Sequence, residues 1–365
     1  MTGKIVLENL KNRPMRSLLS ILLIGVPVTL ILTLVGLTQG MLTDSQNRQR
    51  GVGADIIIRG STVSSVISFS GASIPAGVAD KVQQQPHVKL AMGVINHPVD
   101  LPLFITGMDV AKFTQMSGGF TFDQGGPLQG PDDILVDRYY AEQRHLQVGQ
   151  TVNLINHDWR LAGVIEPGKM ARLVVPMRTL QELDAATGKL GQIYVTVDAP
   201  ANINLVVEGL RGLLKNYPVN TMAEYTAMYN VNQIPAIKEF TVVVAAIGVV
   251  IGVAVVWLSM YMVVLQRTRE IGILKALGAS KAFILGIILI EAMLLGAGGT
   301  ILGIVFSYGA QWLIRTLVPA SFQMAIVYAW WPRVAAITQA AAILGALYPG
   351  LSAARQDPIE ALAYE

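Results

Sequence analysis

The sequence predicts an integral membrane α-helical protein: four transmembrane helices, with a large extracytoplasmic α+β domain inserted between helices 1 and 2. Three observations predict it. Only 14% of the 365 residues are charged and 52% are apolar, whereas an ordinary soluble domain is about 25% charged. The apolar excess, with a mean hydropathy of +0.50, is gathered into four long runs. Between the first run and the second, residues 42–238 carry 16 Lys+Arg and 17 Asp+Glu, the charge density of a soluble domain.

Taken in order, residues 1–16 read as a cytoplasmic amphipathic helix. Lys4, Glu8 and Lys11 fall at i, i+4, i+7, with Leu7, Leu10 and Pro14 on another face, so it lies along the inner membrane surface. Transmembrane helix 1 (17–41) rests on Ser17–Thr38, 22 residues without a charge; a spanning helix needs roughly 20. Basic residues precede it, as in a signal peptide. Its apolar core exceeds the ~7–15 residues of such a peptide and no A-x-A-like site follows, so it reads as a retained anchor. Helix 2 (239–266) contains 27 uncharged residues, Phe240–Gln266, and helix 4 (334–354) contains 21. Helix 3 (282–314) is 33 residues whose only charge is Glu291. Pro27 and Pro349 are expected to kink their helices. In the tail, 355–365, Asp357 is expected to cap a short helix begun at Pro358.

Orientation follows from Lys and Arg. Lys4, Lys11, Arg13 and Arg16 precede helix 1, and Arg267, Arg269, Lys275 and Lys281 lie between helices 2 and 3. The loop 315–333 holds only Arg315 and Arg333. The basic loops stay in the cytoplasm, which places both ends and 267–281 inside. The large domain and 315–333 lie outside, where Tyr328, Trp330 and Trp331 fit an aromatic belt.

In the large domain, strands are expected at Asp55–Arg59, Thr151–Ile155, Arg160–Ile165, Arg172–Pro176 and Gln192–Val197. Helices are expected at Ala76–Gln85, Asp137–Leu146, Thr179–Thr187, Asn202–Lys215 and Met222–Tyr229, with Gly and Pro at the joins. The turn-rich stretch GFTFDQGGPLQGP at 119–131 divides it into a two-part lobe, about 42–118 and 190–238, and a β-rich insertion, about 119–189. A single undivided domain is the competing reading.

The chemistry that is missing narrows the function. There is no cysteine, hence no disulfide, thiolate metal site or cysteine nucleophile. A net charge of +3 is too small for a nucleic-acid binder, and four scattered histidines build no metal site. No phosphate-binding G-x-x-x-x-G-K-[ST], H-E-x-x-H or G-x-S-x-G occurs. Neither a catalytic, a metal nor a cofactor site is expected in this chain. Glu291 is the one charge inside a span and so a candidate polar site. The span is long enough to bring it within reach of the cytoplasmic interface, and on that reading Glu291→Gln is tolerated. Gly36/Gly40, Gly248/Gly252 and Gly299/Gly303 have the small-xxx-small spacing, which permits a dimer.

The loop RTREIGILKALGASK, Arg267 to Lys281, is the most informative element. Ile271, Leu274 and Leu277 at i, i+3, i+6 give a short helix one apolar face, with Arg269, Glu270 and Lys275 off that face and Gly278 just past its end. Such a helix suits docking into a partner's groove or lying on the membrane as an interfacial linker.

Three stretches together resemble the MacB/FtsX-like family of ABC transporter permeases over nearly the whole chain. They are REIGILKALGAS at 269–280, YPGLSAARQDPIEALAYE at 348–365, and ENLKNRPMRSLLSILLIGV near the start. The resemblance implies that 267–281 is a coupling helix contacting a separate ABC ATPase, present in two copies, with ATP and Mg bound there. Arg267, Arg269, Glu270, Ile271, Gly272, Leu274, Lys275, Leu277 and Gly278 are then the ATPase-coupling residues. It also implies a second permease copy or a paralogue, contact with membrane lipid, and room for a periplasmic adaptor. DILVDRYYAEQRHLQVGQTVNLINHDWRLAGVIEPG at 133–168 looks like the family's β-rich insertion.

The expected function is a permease subunit in a bacterial cytoplasmic (inner) membrane. ATP hydrolysis in the partner moves its outer domain to extrude a lipid, lipoprotein, peptide or drug-like substrate. The alternative is a mechanotransmitting regulator of a cell-wall hydrolase. The size of the outer domain fits the transport branch better than the compact division branch. A membrane-anchored enzyme is disfavoured by the missing catalytic constellation.

Overall fold

The computed structural model describes residues 14–60, 73–100, 103–228, 235–317 and 324–356. The amphipathic helix expected over 1–16 lies almost wholly outside them, as does the cap expected at Asp357. Two compact units divide the chain: 1–39, 236–317 and 324–365 form one, and 40–235 with 318–323 the other.

In the first unit, α1 (Pro14–Arg50) is a single 37-residue helix whose last eleven residues belong to the second unit. At 1.5 Å per residue it is about 55 Å long, well beyond the ~30 Å of a bilayer's hydrocarbon core. Among the described residues, four helices are long and apolar enough to cross a membrane, one of them within α1. The second unit holds β1 (Ile56–Arg59), β2 (Ile74–Pro75), α2 (Gly77–Gln83), β3 (Val88–Asp100), β4 (Leu103–Met108), α3 (Val110–Ser117), β5 (Phe122–Gly125) and β6 (Asp133–Asp137). It continues with α4 (Arg138–Arg144), β7 (Thr151–Leu154), β8 (His157–Ile165), β9 (Leu173–Pro176), α5 (Met177–Leu183), β10 (Lys189–Leu190), β11 (Gln192–Val197), α6 (Ile203–Leu213), β12 (Val219–Thr221) and α7 (Met222–Ala227). The other membrane helices are α8 (Pro235–Gln266), α10 (Lys281–Leu317) and α11 (Trp331–Arg355), with the short α9 (Thr268–Ala276) between α8 and α10.

Ten of the described strands form one sheet in the order β12-β1-β11-β3-β4-β9-β6-β8-β5, with β7 paired to β8, and β2 pairs with β10 in a second. Strand β1 reads Ile-Ile-Ile-Arg because both its faces are covered. Ile56 and Ile58 pack with Val206, Val207 and Leu210 of α6, while Ile57 joins Met92, Phe113, Tyr194 and Tyr225 on the other side. The parallel pair β4/β9 joins the strands of the expected lobe to those of the expected insertion. Leu135 of β6 and Val174 of β9 share the core of Ile57, so that core runs across both regions. Asp137 ends β6 and caps α4, its Oδ1 accepting from the Tyr140 amide at 2.9 Å. Strands β3 and β4, absent from the expected elements, occupy the middle of the order, and the likewise unexpected helix α3 follows β4 in the chain.

Both Pro27 and Pro349 sit inside unbroken helices. Several of the small residues bring helices of this chain close together. A Cβ on Gly303 would stand 2.5 Å from Val28 Cβ and 2.8 Å from the Gly25 carbonyl oxygen, so α1 and α10 cross there at backbone distance. Gly248 faces Ile31 and Pro27, and Gly252 faces Ala341. The nearest neighbours of Gly248, Gly252 and Gly303 are helices of the same chain. Polar ties follow the same contacts. Thr29 donates to the Gly303 carbonyl at 3.2 Å, and the Ser20 and Ser259 hydroxyls lie 2.7 Å apart.

Candidate functional site

The loop between α8 and α10 folds as expected into a short helix, and its ends show why. Hydrogen bonding of α8 stops at Gln266. Arg267 turns out of the helical region with φ −118° and ψ 14°. The Thr268 hydroxyl then donates back to the Val264 carbonyl at 3.0 Å, beside the Arg267 amide, which reaches the same oxygen at 3.2 Å. At the far end Gly278 takes φ +92°. Its amide donates to the Lys275 carbonyl at 3.0 Å and that of Ala279 to the Leu274 carbonyl at 2.9 Å. These are the paired bonds of a Schellman motif, which needs a left-handed residue where Gly278 stands. Ser280 starts α10, its hydroxyl accepting from the Phe283 amide at 3.2 Å.

The sequence-predicted residues divide into those facing out and those facing in. Arg269, Glu270 and Gly278 are exposed. Leu277 is 81% exposed, whereas Ile271 is 9% exposed and packs with Val263, Val264, Ile284 and Ile288 of its own bundle. Gly272 is buried beside it and Leu274 is half-buried. A single apolar face of Ile271, Leu274 and Leu277 is therefore corrected. At about 100° per residue, i, i+3, i+6 positions drift by about 120° around the axis, so the stripe starts in the bundle and ends in the open. The outward apolar pair is Leu277 with Ile273, which is 46% exposed. Ile273 was missed, although its i, i+4 spacing to Leu277 and to Arg269 was legible.

Lys275 also departs from its expected place among the polar groups free for a partner. Its Nζ donates to the main-chain carbonyls of Ala354, at 3.0 Å, and Gln356, at the end of α11. Arg267 Nε donates to Glu270 Oε2 at 2.7 Å, and its Nη1 lies 3.7 Å from Glu291 Oε2. Glu291 is 1% exposed. It reaches the loop through Arg267 instead of reaching water.

A second charged cluster, which sequence reasoning missed, lies in the outer unit. Asp44 and Arg48, at i, i+4 on the last part of α1, meet Asp137 and Arg172. Arg48 donates to Asp44 at 2.9 Å and to Asp137 at 2.9 Å; Arg172 donates to the same two carboxylates at 2.8 and 3.0 Å. Two cations and two anions alternate with no net charge. Burial and the like charge of Arg48 lower the Arg172 pKa, against the two carboxylates. Around this cluster, Gln46 donates to the Thr226 carbonyl at 3.1 Å and Tyr194 donates to Gln49 at 2.8 Å. Only the Asp44/Arg48 spacing could have been read beforehand, and it does not name the partners.

Among the described residues no group of three or more His, Asp or Glu could hold a metal ion. The geometry offers instead a helix with one face in a bundle and one face open, and a buried charge network anchoring α1 in the outer unit.

Family models match most of the chain. Residues 17–213 match the family model described as the MacB-like periplasmic core domain, and residues 242–358 match the FtsX-like permease C-terminal model. An uncharacterized ABC transporter permease of Methanocaldococcus jannaschii is 28% identical over 68% of this chain and 66% of its own length. A macrolide export ATP-binding/permease protein MacB of Acinetobacter baylyi is 23% identical over 99% of this chain and 59% of its own. The chain thus spans less than two thirds of these relatives. The crystal structure of the periplasmic region of MacB from Actinobacillus actinomycetemcomitans aligns with a TM-score of 0.39 at 16% identity, covering 49% of this chain and 94% of that one.

Proposed function

The chain belongs to the MacB/FtsX-type ABC transporter permeases, and from that premise we propose that it couples ATP hydrolysis by a separate ATPase to movement of its extracytoplasmic domain. The observation that carries the proposal is α9: a capped helix between two apolar helices, presenting Arg269, Ile273 and Leu277 outward while Ile271 and Gly272 are seated in the bundle. A partner that grips the outward face gains a purchase on the bundle. The working assembly in this reading has two ATPase copies, which bind ATP and Mg, and two permeases in a cytoplasmic membrane. Among the candidate substrates, extrusion of a drug-like molecule is supported by the macrolide-export relative that aligns along 99% of the chain.

Co-purification with the ATPase tests this. Apolar anchors at an interface are worth ~2 kcal/mol or more, rim charges less, so Leu277→Asp and Ile273→Asp should each weaken association by about 30-fold. Arg269→Ala should weaken it far less. Full recovery of the ATPase with both aspartate variants would refute the coupling role of this face.

A further inference from the structure

The same helix is fastened to its own bundle at both ends, to a different span each time. At its start, Arg267 stands between Glu270 of α9 and Glu291 of α10, at 2.7 Å and 3.7 Å. Glu291 is 1% exposed within the apolar helix α10, and a carboxylate buried in a span is costly unless a cation faces it. At its end, Lys275 Nζ reaches the Ala354 and Gln356 carbonyls. The last carbonyls of a helix lack intrahelical partners and carry its negative dipole end, so an ammonium satisfies both needs. Between these two points Ile271 and Gly272 are buried in the bundle. Toward α8 the helical backbone is interrupted at Arg267, while Ile271 packs on Val263 and Val264.

We propose that Arg267, Glu291 and Lys275 are positioning residues that fasten α9 to α10 and α11 as one mechanical body. A push on α9 is then delivered to the two following spans together instead of being absorbed in the loop. The proposal deepens the coupling reading and rests on it for the source of the push; the fastening itself exists without the ATPase. It also reverses the expectation for Glu291→Gln. That substitution keeps the shape and removes the charge facing Arg267, so tolerance is no longer expected.

The chain has no cysteine, so nitroxide labels can be placed singly at Leu277→Cys on α9 and Tyr348→Cys on α11, both well exposed. In the full chain in lipid nanodiscs, the distance distribution between them should be narrow. It should broaden with Glu291→Gln and with Lys275→Gln, and narrow again with Lys275→Arg, which keeps a donor for the carbonyls. Unchanged distributions in both neutral variants would overturn the proposal. A second arm measures MgATP turnover of the ATPase co-purified with each full-length variant. The neutral variants should retain the ATPase but lose about 10-fold in turnover, a typical coupling loss; turnover at the native level would also overturn the proposal. A native chain that recruits no ATPase would refute the coupling reading alone, and the label distances would still decide the fastening. Should Glu291→Gln fail to assemble, Lys275→Gln, at a half-buried site, carries both measurements.

Discussion

Asp133 shows how much one side chain can settle. It opens β6 and accepts from the amides of Gln129 and Gly130 at 2.7 and 2.8 Å and from Arg160 Nε at 2.8 Å. The Arg160 hydrogen bond first, with the backbone donors, holds its pKa below the ordinary carboxylate value, against burial, which raises it. A depressed folded-state pKa has a definite sign. The stabilisation is complete above the unfolded value of about 3.9 and is lost as pH falls through the folded one. Amide exchange along β6 and β8 in the full chain should therefore accelerate as pH drops below about 4, relative to intrinsic rates. With Asp133→Asn that acid-dependent step should vanish, and protection at neutral pH should already be lower. An Asp133→Asn profile that keeps the native acid step would assign it to another carboxylate.

At the scale of elements, the cluster of Asp44, Arg48, Asp137 and Arg172 gives a sharper test, because its members lie on α1, on β6 and just before β9. Removing one charge leaves the others buried and unbalanced, which costs about 3–5 kcal/mol. Asp137→Asn preserves the capping oxygen for Tyr140, so its cost reports the charge and not the helix start. The double variant Asp137→Asn with Arg172→Gln removes one cation with one anion and should be less destabilised than the sum of the singles, a coupling that denaturant unfolding of the outer unit measures. Additive losses would mean the four charges act independently. This network also marks the limit of sequence reading. The strand at Gln192–Val197 was legible to the residue, because its Ile, Tyr and Val run is β-branched and aromatic. Strand β3, Val88–Asp100, was not: it carries Gly93, His97 and Pro98, and its ladder with β4 and β11, not its composition, makes it a strand. Likewise α9 was visible as a helix with a glycine stop. Which of its residues face inward was not, since Lys275 finds its acceptors about 80 positions further along the chain.

For the whole molecule the legible part is the largest. Lengths of uncharged sequence identify the apolar helices because roughly 20 residues must cross hydrocarbon in which a charged side chain is costly, a constraint that acts on composition, while the backbone satisfies its own hydrogen bonds there as helix. What composition cannot supply is the pairing of distant residues, such as Arg267 with Glu291 or Arg172 with Asp44. Orientation stands between these cases, since it is argued from Lys and Arg counts and not from contacts. Four basic residues between helices 2 and 3 against two between helices 3 and 4 predict α9 inside and the sheet domain outside. An impermeant maleimide decides it in a chain without cysteine. Val148→Cys, exposed in the outer unit, should react in intact spheroplasts, and Leu277→Cys only after the membrane is permeabilised. Reaction of Leu277→Cys in sealed cells would invert the topology. It would also remove α9 from the reach of a cytoplasmic ATPase, because a helix that the outside reagent can label cannot be the one that the ATPase grips.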